Sequence, residues 1–130
     1  MASEGVDRRR LVVFVCTHGA VRSRVAAAFF KEMAPPGWSA TSVGLEPQPE
    51  LGETARQLLL ETRAAPWLEM DPPRGMDLFA SGDRTVAIDC EVAGADRWQL
   101  RNGEFGPLMV EELRRLAVGL AAEIAASLDC

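Results

Sequence analysis

Two adjoining stretches decide the fold, Leu11-Val12-Val13-Phe14-Val15 and Cys16-Thr17-His18-Gly19-Ala20-Val21-Arg22-Ser23. The first is a continuous apolar run rich in β-branched residues, which is typical of a strand buried on both faces of a parallel sheet. The alanine- and phenylalanine-rich run from Ser23 to Met33 predicts a helix, ended by the segment Ala34-Pro35-Pro36-Gly37. Residues 16–22 are therefore predicted to form a short loop between a strand and a helix.

Outward from this loop, strand and helix patterns alternate along the chain. Further strands are predicted at 38–43, 85–88 and 97–100, and further helices at 49–63 and 110–128, with a proline-rich connection at 64–75. Alternation of this kind implies βαβ crossovers, so the predicted fold class is α/β, a parallel sheet covered on both faces. Ligands of such sheets bind beyond the carboxyl ends of the strands, which is where Cys16 falls.

Length and charge restrict the possible functions. The 130 residues fit a single domain, in which residues 1–9 are expected to be a flexible N-terminal segment. A net charge of −5 argues against a nucleic-acid or anionic-membrane partner, because such partners require a basic face. No apolar run approaches the roughly 20 residues that span a bilayer, and the run at 11–15 is too short for a secretory signal. We therefore expect a cytoplasmic protein, and three cysteines, an odd number, predict reduced thiols.

The loop has the chemistry of an oxyanion site. A loop that enters a helix N-terminus directs several unpaired backbone N–H groups at one point, where they form an anion-binding concavity. The helix end and the Arg22 guanidinium both favour an ionised sulfur at Cys16, to which Ser23 can donate a hydrogen bond. Arg22 can hold two oxygens of a tetrahedral anion with its planar fork. The predicted cradle consists of Thr17, His18, Gly19, Ala20, Val21 and Arg22, with Cys16 as the nucleophile beneath it.

These residues resemble the signature of the low-molecular-weight protein tyrosine phosphatases and the related thiol-coupled arsenate reductases. That superfamily is marked by Cys, five residues, Arg and then Ser or Thr, directly after the first strand. Residues 40–44 are similar to its second strand, and residues 98–100 are similar to the run before its acid loop. The resemblance implies a three-layer α/β/α fold with a four-stranded parallel sheet. It also implies a phosphate- or arsenate-type oxyanion or phosphorylated substrate as partner, and neither a metal nor a cofactor.

The loop departs from the phosphatase pattern at three positions. His18, Gly19 and Val21 stand where those phosphatases have Gly, Asn and Cys. The family's Asn normally helps to pin the loop, so its replacement raises the question of what holds the loop here. The histidine is followed by two small residues, as in some arsenate reductases, which favours arsenate chemistry slightly. The other reading of His18 is a solvated or recognition residue.

The general acid is the larger departure. Family enzymes place an Asp, usually followed by Pro, shortly after the fourth strand, and residues 101–103 read Arg-Asn-Gly at that position. Asn102 cannot donate a catalytic proton, and the loss of such an acid typically costs about 10²–10⁴ in rate. Glu104 is the alternative acid. Asp71, which precedes a proline, is predicted to start a turn, and Asp89 is predicted to be structural.

An arsenate reductase of this type needs a resolving thiol that converts the arsenic adduct into a disulfide. Cys90 lies close to the position of one resolving cysteine in that family, although a small buried apolar role fits it equally. Cys130 and an external thiol reductant are the alternatives. Trp67 is the tryptophan that could face the site and stack on an aryl phosphate.

Three functions follow from these observations. The first is a phosphatase that acts on phosphotyrosine or a small aryl phosphate through a cysteinyl-phosphate, with Cys16, Arg22, Ser23 and Glu104 as catalytic residues. The second is an arsenate reductase that uses the same cradle with Cys90 or an external thiol. The third is a non-catalytic relative that binds an oxyanion or a phosphorylated partner, which the Asn at the acid position favours.

Overall fold

The computed structural model describes residues 10–48, 52–71 and 74–128. The expected flexible segment 1–9 and Cys130 lie outside the described residues. The described chain forms four strands, β1 (Arg10–Cys16), β2 (Trp38–Gly44), β3 (Arg84–Ile88) and β4 (Asp96–Trp98). Its helices are α1 (Arg22–Met33), α2 (Gly52–Leu59) and α3 (Pro107–Leu128), with short 3-10 helices at Ala65–Trp67 and Met76–Ser81.

The sheet confirms the predicted α/β fold class. Its four strands are all parallel in the order β2-β1-β3-β4. Cys16 ends β1 opposite Gly44, the last residue of β2, so the carboxyl ends of the two strands lie side by side. The loop after β1 therefore lies at the ligand-binding edge that this topology creates.

Residues of β1 alternate between the two faces of the sheet. Val12, Phe14 and Cys16 belong to the hydrophobic cluster that also contains α1, α3 and two residues of α2. The Phe14 ring packs edge-on against Phe30 of α1, with ring centroids 6.2 Å apart. Val13 and Val15 belong to a smaller cluster on the opposite face, which the 3-10 helix Met76–Ser81 and the segment after β3 cover.

The predicted boundaries differ from the structure where side chains end an element. The helix predicted over 49–63 ends at Leu59, because the Thr62 amide and hydroxyl both donate to the Leu59 carbonyl and close a turn. The last helix begins at Pro107, three residues before the predicted start, and proline is favoured in a first helical turn. The fourth strand, predicted at 97–100, is observed at Asp96–Trp98. It ends before Leu100, because the Leu100 amide donates to the Asp89 side chain. No helix in the described ranges is long and apolar enough to cross a bilayer.

Candidate active site

Cys16 and Ser23, the predicted nucleophile and its predicted hydrogen-bond partner, lie next to each other. Cys16 is 3% exposed and Ser23 is fully buried, and Cys16 Sγ lies 3.1 Å from Ser23 Oγ. The thiol donates in this pair when it is protonated, and the serine O–H donates when the sulfur is ionised. The Ser23 backbone N–H also points at the sulfur, 3.5 Å away. One residue of the first turn of α1 therefore directs two donors at Cys16.

The first carbonyls of the loop are hydrogen-bonded to the segment that follows β2. The carbonyls of Cys16, Thr17 and His18 accept hydrogen bonds from the amides of Leu45, Glu46 and Gln48, at 3.2, 2.7 and 3.1 Å. Val21 is the N-cap of α1 and makes no side-chain cap. In the described part of the chain, none of the amides of residues 17–22 donates to another protein group. Unpaired amides at a helix N-terminus, with the carbonyls occupied elsewhere, are the donor set that an oxyanion requires.

Two glycines approach each other closely where the loop meets the end of β2. Gly19 has a φ of +67°, in the left-handed region that side chains resist. A Cβ on Gly19 would lie 2.6 Å from the Gly44 nitrogen, and a Cβ on Gly44 would lie 2.6 Å from the Gly19 nitrogen. The loop backbone therefore packs directly on the end of β2, which answers the question of what holds it.

The Arg22 side chain is held at the edge of the loop nearest to β3 and α3. Its Nη2 donates to the Gly103 carbonyl at 2.6 Å, and its Nε lies 3.5 Å from Asp89 Oδ2. The Phe105 ring centroid is 5.0 Å from the centre of the guanidinium. About a quarter of the Arg22 side chain remains exposed. Its predicted grip on an anion stays a prediction, and the structure gives Nη1 no partner among the described residues.

Asp89 has a larger role at this site than the sequence indicated. It has a φ of +53°, a left-handed conformation that costs a non-glycine residue free energy. Its Oδ1 accepts from the Leu100 amide at 2.8 Å, while Oδ2 faces Arg22. The carboxylate thus joins the end of β3 to the loop arginine. Its position directly after a strand of the parallel sheet was the signal that could have identified it.

Asn102, at the acid position, is held by α3. Its backbone N–H donates to Glu112 Oε1 at 2.9 Å, and its side-chain amide donates to the same oxygen at 3.3 Å. An aspartate at 102 would place a second carboxylate against Glu112. Glu104 is exposed, and the structure records no hydrogen bond or ion pair between it and the described residues. Its proposed role as the acid stays a prediction.

Cys90 lies on the other face of the sheet from Cys16. It packs with Val13 and Val15, and its thiol donates to the Val15 carbonyl at 3.6 Å. Burial raises the pKa of the Cys90 thiol, and the nearby Cys16 sulfur raises it further. The two cysteines therefore belong to clusters on opposite faces of the sheet, and the resolving role of Cys90 stays a prediction.

Two other candidates lie at the periphery. His18 Nδ1 is 3.2 Å from the Glu46 carbonyl, which places the imidazole against the segment after β2. Trp67 lines a surface groove with Lys31 and Trp38, at the start of β2. That groove is at the opposite end of the sheet from Cys16, so the suggested stacking role of Trp67 is wrong. Within the ranges that the structure describes, no cluster of three His, Cys, Asp or Glu side chains could hold a metal ion.

Comparisons with known proteins agree with this geometry. No protein-family model and no curated protein matches the chain. An arsenate reductase from Archaeoglobus fulgidus is 27% identical with a TM-score of 0.67, over 85% of this chain and 98% of that one. A thioredoxin-dependent arsenate reductase from Corynebacterium glutamicum is 22% identical with a TM-score of 0.63, over 98% of this chain and 66% of that one. A low-molecular-weight protein tyrosine phosphatase from T. tengcongensis is 19% identical with a TM-score of 0.64, over 88% and 99% of the two chains. These neighbours confirm the resemblance that the loop sequence indicated.

Proposed function

We propose that this chain is a cysteine-dependent phosphatase that acts on substrates whose leaving group departs without a proton from the protein. The observation that carries the proposal is the Cys16–Ser23 pair, 3.1 Å apart, next to a loop whose carbonyls at residues 16–18 accept hydrogen bonds from the segment after β2. An ionised sulfur and a bound tetrahedral anion are stabilised by the same donors in this arrangement.

The chemistry would proceed in two displacements. The Cys16 sulfur attacks phosphorus and forms a cysteinyl-phosphate, while the leaving oxygen departs with the bonding electron pair. Water then attacks the phosphorus and releases inorganic phosphate, and the sulfur leaves as a thiolate. The amides of residues 17–22 and the Nη1 group of Arg22 supply donors to the equatorial oxygens. Ser23 stabilises the thiolate in both steps.

The leaving group determines which substrates fit. Asn102 is bound to Glu112 and carries no acidic proton, so alcohols of high pKa should depart slowly. Nitrophenolate and similar anions need little protonation and should suffer least. The exposed Phe105 ring beside Arg22 provides an apolar surface for an aryl group. A small aryl phosphate with a weakly basic leaving group is therefore the proposed substrate class, and phosphotyrosine, whose phenol has a pKa of about 10, should be hydrolysed more slowly.

A comparison of two leaving groups tests the proposal. We expect hydrolysis of 4-nitrophenyl phosphate to exceed that of phenyl phosphate by a factor of about 10²–10⁴, because the protein supplies no proton. Cys16→Ser should abolish both reactions, whereas Cys90→Ser serves as the matched control and should retain them. Equal rates for the two esters would show that an acid such as Glu104 does operate. Activity that survives in Cys16→Ser would contradict the proposal.

Arsenate reduction with an external thiol is the second candidate. The Cys16 sulfur attacks arsenic and forms an S–As bond, and the protons of arsenate let the displaced hydroxide leave as water without a protein acid, which suits Asn102. A thiol then attacks the Cys16 sulfur, and As(III) leaves with the electron pair as a mixed disulfide forms. The similarity of this chain to an arsenate reductase, at 27% identity, supports this second candidate. Chemistry that depends on a reduced Cys16 also supports the expected cytoplasmic location.

The same preparation should be assayed for thiol-dependent arsenite release. The position of Cys90 on the opposite face predicts that Cys90→Ala leaves this release unchanged, whereas Cys16→Ser abolishes it. A reaction that requires Cys90 would support the internal resolving thiol instead. Binding of phosphate without either activity would select the non-catalytic reading.

A further inference from the structure

The segment 100–103 forms a strut between α3 and Arg22. At one end, the amides of Arg101 and Asn102 each donate to the Glu112 carboxylate at 2.9 Å. At the other end, the Gly103 carbonyl accepts from Arg22 Nη2 at 2.6 Å. Three consecutive residues therefore connect a helix carboxylate to the guanidinium of the oxyanion loop.

Glu112 is an unusual anchor because it is a buried carboxylate. It is 8% exposed, and in the described part of the chain its hydrogen bonds come from amides, while the Arg115 guanidinium attracts its charge. Burial acts to raise the pKa of Glu112, but the hydrogen bonds from Arg101 and Asn102 outweigh it and lower the pKa. The group is therefore charged at neutral pH. The ionised carboxylate therefore holds the amides of Arg101 and Asn102 against α3 at neutral pH.

The strut fits closely against the site at Gly103. A Cβ built on this residue would lie 3.1 Å from Asp89 Oδ2 and 3.9 Å from Arg22 Nη2. The segment before it is also fixed, since the Leu100 amide donates to Asp89 Oδ1. A displacement of residues 101–102 would therefore move the Gly103 carbonyl and with it the guanidinium.

We propose that Glu112 is a positioning residue for oxyanion binding, which holds the strut so that the Gly103 carbonyl and Asp89 orient Arg22. It acts through main-chain groups and does not touch the ligand. The inference rests on the proposed function only in that the loop binds a tetrahedral oxyanion, whether or not turnover follows.

Glu112→Gln tests the anchor, with Glu111→Gln as its matched control. The glutamine amide would turn a donor toward backbone N–H groups, so the strut should shift. We expect inorganic phosphate, titrated by calorimetry into the full-length protein, to bind about 10- to 100-fold more weakly, the typical effect of a small misplacement at a site. Glu111 is the preceding residue on α3, exposed and paired with Arg114, and its replacement should leave phosphate affinity unchanged.

A double variant separates positioning from stability. Asn102→Asp alone would set two carboxylates against each other and should also weaken phosphate binding. Combining Asn102→Asp with Glu112→Gln lets the glutamine amide donate to the aspartate, so phosphate affinity should recover to within about threefold. The free energy of unfolding, measured on every variant, shows whether a loss of affinity merely follows a loss of stability.

The outcomes are distinct. Unchanged phosphate affinity in Glu112→Gln overturns the inference, as does a double variant that stays as weak as the single ones. If the variants change phosphate affinity as expected but the wild type hydrolyses no phosphate ester, the inference is supported and the phosphatase proposal is rejected. A wild-type protein that binds no phosphate overturns both.

Discussion

At the scale of single residues, Gly19 and Gly44 leave each other no room for a side chain. In Gly19→Ala, the new methyl group would meet the Gly44 backbone at 2.6 Å in a left-handed conformation. We expect about 1–2 kcal/mol of destabilisation from the backbone strain and about 1–3 kcal/mol from the overpacking. Urea unfolding measures the sum, and phosphate affinity should fall with it.

Gly37→Ala is the matched control for this change. Gly37 also has a positive φ, +83°, but nothing lies within 4 Å of its Cβ position. It should therefore show only the strain, about 1–2 kcal/mol. Equal destabilisation of the two variants would mean that the contact with Gly44 carries no free energy.

The second residue-scale prediction concerns Cys90. Burial raises the pKa of its thiol, so at neutral pH it is protonated and a poor nucleophile. Iodoacetamide should modify Cys90 slowly, and the rate should increase as the pH rises toward that pKa. Mass spectrometry of peptides follows the modification, with phosphate added to protect Cys16. Rapid modification of Cys90 that phosphate also prevents would place this thiol in the oxyanion site.

At the scale of elements, Arg24 of α1 binds the segment that follows the first 3-10 helix. It is 4% exposed, and its guanidinium donates to the carbonyls of Glu69 and Asp71. Arg24→Met would leave both carbonyls without a donor, so we expect a loss of roughly 1–3 kcal/mol in the free energy of unfolding. Arg114→Met, on the exposed face of α3, should change it by less than about 0.5 kcal/mol. If Arg24→Met lowers the free energy of unfolding by no more than Arg114→Met does, water must replace the guanidinium as the donor to the two carbonyls.

Elements that the sequence predicted well are those with local causes. The strand, loop and helix around Cys16 follow from an uninterrupted apolar run, a glycine and an alanine-rich segment, and all three were placed correctly. The end of β4 could not be placed, because the Leu100 amide leaves the ladder for a side chain eleven residues away. The Glu69 carboxylate, which accepts from Thr41 and Ser42 of β2, was likewise invisible in any local pattern.

At the scale of the whole molecule, the buried carboxylate predicts an acid-sensitive fold. The pKa of Glu112 is lower in the folded protein than in the unfolded chain. Its contribution to stability is therefore present above the unfolded pKa of about 4.3 and is lost as the pH falls through the folded value. The free energy of unfolding should decrease less between about pH 7 and about pH 3 in Glu112→Gln than in the wild type. Parallel decreases would show that Glu112 adds nothing to acid sensitivity.

The same scale shows where sequence reasoning about the site reached its limit. Cys16, Ser23 and Gly19 were identified because they share one short motif. The contact between Arg22 and Gly103 joins residues 81 positions apart. Asn102 is bound by Glu112, ten residues further along the chain on α3. Such pairs are set by the packing of α3 on the sheet, which no periodicity within either segment reports.

The hydrogen bonds from residues 45, 46 and 48 to the carbonyls of residues 16–18 continue the β1–β2 ladder into the loop. The amides of residues 45, 46 and 48 do not contact a bound anion, but their hydrogen bonds depend on how well the loop is ordered. In deuterium labelling, these three amides act as remote reporters of occupancy: an anion that steadies the loop slows their exchange.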